Sequence, residues 1–185
     1  MTSPSSIKNA RASVAKVSTV IVVSHILQNE LFRNPIFTNK WLYAAVSQLI
    51  GWVVYDVFVA GKQKFRHTNP RVAAAMNTTF KMAVIFTVTR IASTGMDGKV
   101  DLNEEWAMNT LKVLAGFALV ELGSDLLPRW KGHDGTVKDL AFVAVTSALP
   151  VLIDGGKLDE KFWTQAATVG AGFFVFDEYL KGSLF

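Results

Sequence analysis

One pattern occurs three times in this chain and constrains its fold more than any other feature. Lys16, Lys81 and Lys138 are each followed, at the same spacing, by Val23-Ser24, Val88-Thr89 and Val145-Thr146, and then by Trp41, Trp106 and Trp163. Each Trp is followed by a carboxylate, Asp56, Glu121 or Glu178. The shared form is K-x6-V-[S/T]-x16-W-x14-[D/E], with no gap inside any copy. Self-similarity at fixed spacing is the signature of a repeat architecture, in which each unit is a supersecondary element that buries its apolar face against its neighbours.

Each copy reads as a helical hairpin. The apolar stretches predict first helices over 14–30, 79–95 and 137–153, and second helices over 41–60, 106–124 and 162–180. A helix apolar on all sides belongs in a large core or a membrane, and about 17–25 mostly apolar residues span a bilayer. Half of the 185 residues are hydrophobic and only 18% are charged, with a mean hydropathy of +0.29. A chain of this length cannot bury six such helices in water. The expected fold is therefore all-α: a six-helix transmembrane bundle built from three repeated hairpins with pseudo-threefold symmetry. A soluble αα-hairpin solenoid is the alternative.

The turns within the hairpins carry breakers: Asn34-Pro35, Thr94 to Gly98, and Asp154-Gly155-Gly156. Gly and Asn accept the left-handed conformations of tight reversals. Asn69-Pro70 and Leu127-Pro128 interrupt the longer linkers, because the residue before Pro disfavours helix. The resulting organisation is a polar tail (1–13), a first hairpin (14–60), a basic linker (61–78), a second hairpin (79–124), a linker (125–136), and a third hairpin with a short tail (137–185). The run Val17–Leu27 has the apolarity of a signal-peptide core, but no small-x-small cleavage site follows it, so it reads as a retained first helix.

Charge orients the hairpins. The side that receives both tails and both linkers holds twelve basic residues: Lys8, Arg11, Lys16, Lys62, Lys64, Arg66, Arg71, Lys81, Arg129, Lys131, Lys138 and Lys181. The turn side holds five, Arg33, Lys40, Lys99, Lys157 and Lys161, together with the acids Asp97, Asp101, Glu104, Glu105, Asp154, Asp159 and Glu160. Arg90 and Lys112 complete the 19. This is the positive-inside bias, and it predicts both termini on the cytoplasmic side. Anionic headgroups suit the basic linkers better than nucleic acid does, so the expected partners are the bilayer and other membrane proteins.

Three sets of residues are candidates for a role. In a hairpin folded at its turn, Lys16 lies level with Asp56, Lys81 with Glu121, and Lys138 with Glu178. These are expected to be interhelical ion pairs, each offsetting a Lys at a helix N-terminus and an acid near a C-terminus, where the helix dipole favours neither; a carboxylate relay is the functional alternative. Trp41, Trp106 and Trp163 open the second helices and are expected to anchor them at the turn-side interface, ring buried and N–H wet. His25, Arg90 and Lys112 fall near the middle of the predicted spans, close to a level set of Ser24, Thr89 and Thr146. Convergence of these cations on a central path would make an anion pore.

Other chemistry finds little support. The chain lacks Cys, which removes disulfides and thiol chemistry. His25, His67 and His133 are widely separated. The turn Asp97 to Glu104 resembles the second half of a calcium loop, but Ser93 and Gly95 stand where the first ligands belong. No cofactor, metal or catalytic set is expected, and the chain reads as non-enzymatic. The layout, together with the stretch YDVFVAGK from Tyr55 to Lys62, resembles the small multi-helix membrane proteins found beneath the capsids of large icosahedral DNA viruses. That resemblance implies a virion membrane setting and capsid partners. The leading expectation is a scaffold or anchor at a membrane; a small channel or transporter is the alternative.

Overall fold

The structure, a computed structural model, describes residues 4–32, 38–62, 64–96 and 98–184. The predicted Asn34-Pro35 turn, Arg33 and Asp97 lie outside the described residues. Six long helices follow one another, with no strand among the described residues: α1 (Pro4–Phe32), α2 (Asn39–Val54), α3 (Pro70–Met96), α4 (Glu104–Leu122), α5 (Asp134–Ile153) and α6 (Glu160–Val175). A π turn, Tyr55–Val59, extends α2, and a second, Phe176–Leu180, extends α6 before a final helical turn, α7 (Lys181–Leu184).

Local chemistry accounts for most boundaries. The second helices begin at side-chain caps: Thr38 accepts from the Trp41 amide, Asn103 from the Trp106 amide and Asp159 from the Phe162 amide. Each cap satisfies one of the amides that a helix start leaves unpaired. Gly98 and Gly155 take positive φ of 81° and 72° in the turns after α3 and α5. In the first linker, Asn77 on α3 accepts from the Phe65 amide and donates to the Phe65 carbonyl, both at 2.9 Å. That pair fastens the basic linker onto the helix it precedes.

Two predicted boundaries change. The segment expected to be a polar tail up to residue 13 is helical from Pro4, and α3 starts at Pro70 rather than 79. Proline is well placed at the first position of a helix, where its missing amide hydrogen would have had no partner. Polarity alone is no helix break, since Lys and Arg are good helix formers.

The six helices pack as a ring in chain order. Each helix packs on its sequence neighbours, and α6 closes the ring on α1. The hairpins are not its uniform units. The seams α2/α3, α4/α5 and α6/α1 are all extensive, whereas α1/α2 and α5/α6 are the two slighter ones. The seam α3/α4 is as extensive, and each of the other three extensive seams contains a glycine that permits close approach. A Cβ on Gly51 would stand 2.7 Å from the Ile85 carbonyl oxygen, one on Gly116 3.0 Å from Thr146 Cα, and one on Gly172 2.7 Å from Val20 Cα. Small residues let helix backbones approach where dispersion and hydrogen bonds must supply the attraction. An aromatic-rich core built on Tyr55, Met82, Ile85 and Leu114, with Trp52, Phe80, Phe86 and Phe117 against it, fills one side of the ring.

Most apolar surface is not used inside the bundle. Four stretches, Ser6–Leu31, Asn39–Val59, Pro70–Met96 and Asp134–Ile153, are long and apolar enough to cross a membrane, and only 11–22% of each apolar window is buried. Leu42, Val46, Ile91, Met108, Leu111 and Leu119 point outward from the helices. Four of the six predicted spans meet this length and apolarity among the described residues. In α4 the shortfall comes from Glu104, Glu105, Lys112 and Glu121 within one helix; α6 is 16 residues long and leads directly into Asp177 and Glu178.

Candidate functional site

The main concentration of charge lies at the end of the ring opposite the hairpin turns. The predicted pairs are redrawn there. Lys16 does not meet Asp56; its ammonium contacts Asp139 on α5 and donates to Asp177 in the second π turn at 3.1 Å. Lys138 does not meet Glu178; it donates to Glu121 Oε2 at 2.7 Å. Lys81 has no ion pair with Glu121 among those the structure describes. It lies 4.5 Å from the Trp52 ring centroid and 5.4 Å from that of Tyr55, in the field of Asp56.

The physical reason is the ring. The second helix of each predicted hairpin packs on the first helix of the next, so each acid is level with two lysines and packing chooses the second. The third acid departs by one residue. A π turn spaces its hydrogen bonds five residues apart rather than four, which re-aims the side chains that follow. Asp177 then faces Lys16, while Glu178 turns to the start of α5, accepting from Thr136 Oγ1 at 2.8 Å and lying 2.6 Å from His133 Nδ1. Glu121 is held similarly, accepting from Thr78 Oγ1 at 2.6 Å.

Burial makes this end unusual. Asp56, Glu121 and Asp177 are almost wholly enclosed. Lys16 belongs to α1 and Asp139 to α5, two helices that are not neighbours in the ring, so their contact passes across its interior. Asp56 Oδ2 is buried without a hydrogen-bond partner among the described residues. Sequence reasoning missed Asp139, Asp177, Thr78 and Thr136. The available signal was position: Asp139 follows Lys138 and Asp177 precedes Glu178 in otherwise apolar surroundings.

At the turn end the predicted pore residues separate. Arg90 Nε donates to the Asp101 carbonyl at 2.8 Å and Nη2 to Asp101 Oδ2 at 3.1 Å. Lys112 meets Asp154 beyond the end of α5. His25 packs on Trp41, ring centroids 4.9 Å apart. The three do not converge, because a long cationic side chain reaches a carboxylate at the wet end of its helix at less cost than it stays uncompensated in the middle. Ser24, Thr89 and Thr146 do not form a central ring either. Thr89 and Thr146 lie at the glycine contacts of their seams, and the Ser24 hydroxyl returns to the Ile21 carbonyl.

Trp41, Trp106 and Trp163 occupy the first turns of α2, α4 and α6. Trp106 borders a groove of about 320 Å³ between α3 and α4, lined also by Phe86, Thr89, Arg90 and Asn109. Among the described residues no group of three His, Asp or Glu could hold a metal ion. No family model, curated protein or solved structure matches the chain.

Proposed function

We propose that this chain is a non-enzymatic integral membrane protein that crosses the bilayer with its six helices, arranged in sequence as three hairpins, and serves as a scaffold or anchor for an assembly. One observation carries the reading. Arg90 and Lys112, the cations best placed to line a path, are each taken up by a different carboxylate at the turn end. Around them the helices direct apolar side chains outward, as a lipid-facing surface requires. The basic linkers and both ends of the chain then face the cytoplasmic side, where they contact headgroups or partner proteins; the acidic turns face partners on the other side. A virion membrane beneath a capsid is the setting implied by the resemblance of the layout.

Topology is tested by single cysteines in a chain that has none. Gly61→Cys and Gly95→Cys, both at positions with open space around an added Cβ, should label from opposite sides of the membrane. Labelling from the same side removes the hairpin topology. A channel or transporter is the second reading, favoured by the groove at Arg90 and by the Thr89 hydroxyl beside it, which has no partner among the described residues. Ion flux across reconstituted liposomes decides between them. The scaffold reading expects no flux above that of empty liposomes; robust flux that is lost in Arg90→Ala replaces it with transport.

A further inference from the structure

The first linker is free of acids and fixed in place. No Asp or Glu occurs between Asp56 and Asp97, while Lys62, Lys64, Arg66 and Arg71 all fall within that interval. Arg71 takes Asp125 from the second linker. Lys62, Lys64 and Arg66 are exposed, and among the described residues none of the three has an ion pair. The second linker answers its own charges better, with Asp125 and Asp134 set among Arg129 and Lys131.

Hydrogen bonds and one ring contact hold the first linker as a strap along the start of α3. Asn77 binds both the amide and the carbonyl of Phe65, and its Nδ2 also donates to the Ala73 carbonyl at 2.6 Å. The Phe65 ring meets Phe80 edge to face, centroids 5.4 Å apart. Further on, the Asn69 amide donates to His67 Nδ1 at 3.0 Å and the Arg71 amide to Asn69 Oδ1 at 2.9 Å. Phe65 is half-buried between exposed Lys64 and Arg66, so the strap turns its aromatic side to the helix and its cations to the surroundings. Like charges held at fixed positions repel, and no described residue of the chain supplies the counter-charge.

We propose that this strap is a binding site for the phosphate groups of anionic phospholipids in the leaflet on the linker side, with Lys62, Lys64 and Arg66 as its donors. The inference rests on the membrane reading above, in which Asn39–Val59 and Pro70–Met96 are the spans on either side of the strap. Lys62 and Arg66 then lie within four residues of a span end, at the depth where a bilayer presents its headgroups. Basic segments next to a span attract anionic headgroups, with roughly fivefold enrichment for each base. Arg66 offers a planar fork that suits two oxygens of one phosphate, and the lysines act as point charges. Phe58, 56% exposed in the first π turn, offers an apolar contact to the acyl chain beneath. Nucleic acid would meet the same three charges, but a strap joined at both ends to spans lies against the bilayer's own phosphates first.

The chain has no cysteine, so a fluorophore on Thr68→Cys, an exposed position in the strap, reports on the lipid around it. The full chain is placed in nanodiscs of equal parts phosphatidylglycerol and phosphatidylcholine, with one or the other brominated in its acyl chains. Brominated phosphatidylglycerol should quench more strongly, by a local enrichment of at least about fivefold. Lys62→Gln, Lys64→Gln and Arg66→Gln together should equalise the two lipids, whereas Lys157→Gln with Lys161→Gln, on the turn side, should change nothing. Asn77→Ala keeps every charge but releases the Phe65 backbone, and should lower the enrichment. Should that variant not fold, the charge changes, all at exposed side chains, still decide. Equal quenching without these changes overturns the site, as does enrichment that survives the triple change or Asn77→Ala. Duplex DNA that displaces phosphatidylglycerol from the strap at physiological salt overturns it in favour of nucleic acid. Failure of the membrane reading shows separately, as same-side labelling of Gly61→Cys and Gly95→Cys; with opposite-side labelling, equal quenching counts against this site alone.

Discussion

At the turn end Arg90 meets Asp101 and Lys112 meets Asp154, and the two aspartate side chains stay 50% and 57% exposed. At the linker end Glu121 and Asp177, which receive Lys138 and Lys16, are 6% and 7% exposed. Residue types and pairings are alike at the two ends; the difference is access to water. Exposed pairs gain little, because water already solvates each charge. Enclosed carboxylates depend on their protein partners, and removing one partner leaves the other group unsolvated. Charged residues in an apolar chain are therefore poor guides to a site until their burial is known.

Stability measurements in detergent or nanodiscs can break or sharpen this contrast. Glu121→Ala should have the largest effect, about 2 kcal/mol by equilibrium unfolding, since it removes an enclosed acceptor shared by the Lys138 ammonium and the Thr78 hydroxyl. Lys112→Met should cost less than about 1 kcal/mol, its partner being exposed. The smallest change, within about 0.5 kcal/mol, is expected for Arg71→Ala, which removes a contact with Asp125 between two half-exposed side chains. A Lys112→Met cost equal to that of Glu121→Ala would remove the distinction between the ends.

The number of helices and their approximate limits were legible in the sequence, because the apolar runs are long and the caps at Thr38, Asn103 and Asp159 have local chemistry. The heights of Lys16, Lys81, Lys138 and the three acids were legible too, for helix rise converts spacing into height. Which neighbour each Lys would take was not. Height is the same for both flanking helices, and only closure of α6 on α1 decides between them. The π turns left no Gly or Pro as a signal, so the exchange of Glu178 for Asp177 opposite Lys16 could not be read. Arg90 and Lys112 were placed by their position along the helix axis, which neglects the reach of a long side chain to Asp101 or Asp154.

The contact between Lys16 and Asp177 has a consequence in time. The two residues are 161 positions apart, and at typical synthesis rates the second follows the first by roughly 10–30 s. Throughout that interval α1 is made while the helix that completes its seam does not yet exist. Lys16 spends the wait extended toward water, as long cationic side chains can, until α5 brings Asp139 and the second π turn brings Asp177. Biogenesis of this ring therefore ends where the chain began, and a chain stopped before the second π turn would leave Lys16 with Asp139 as its sole carboxylate of the two.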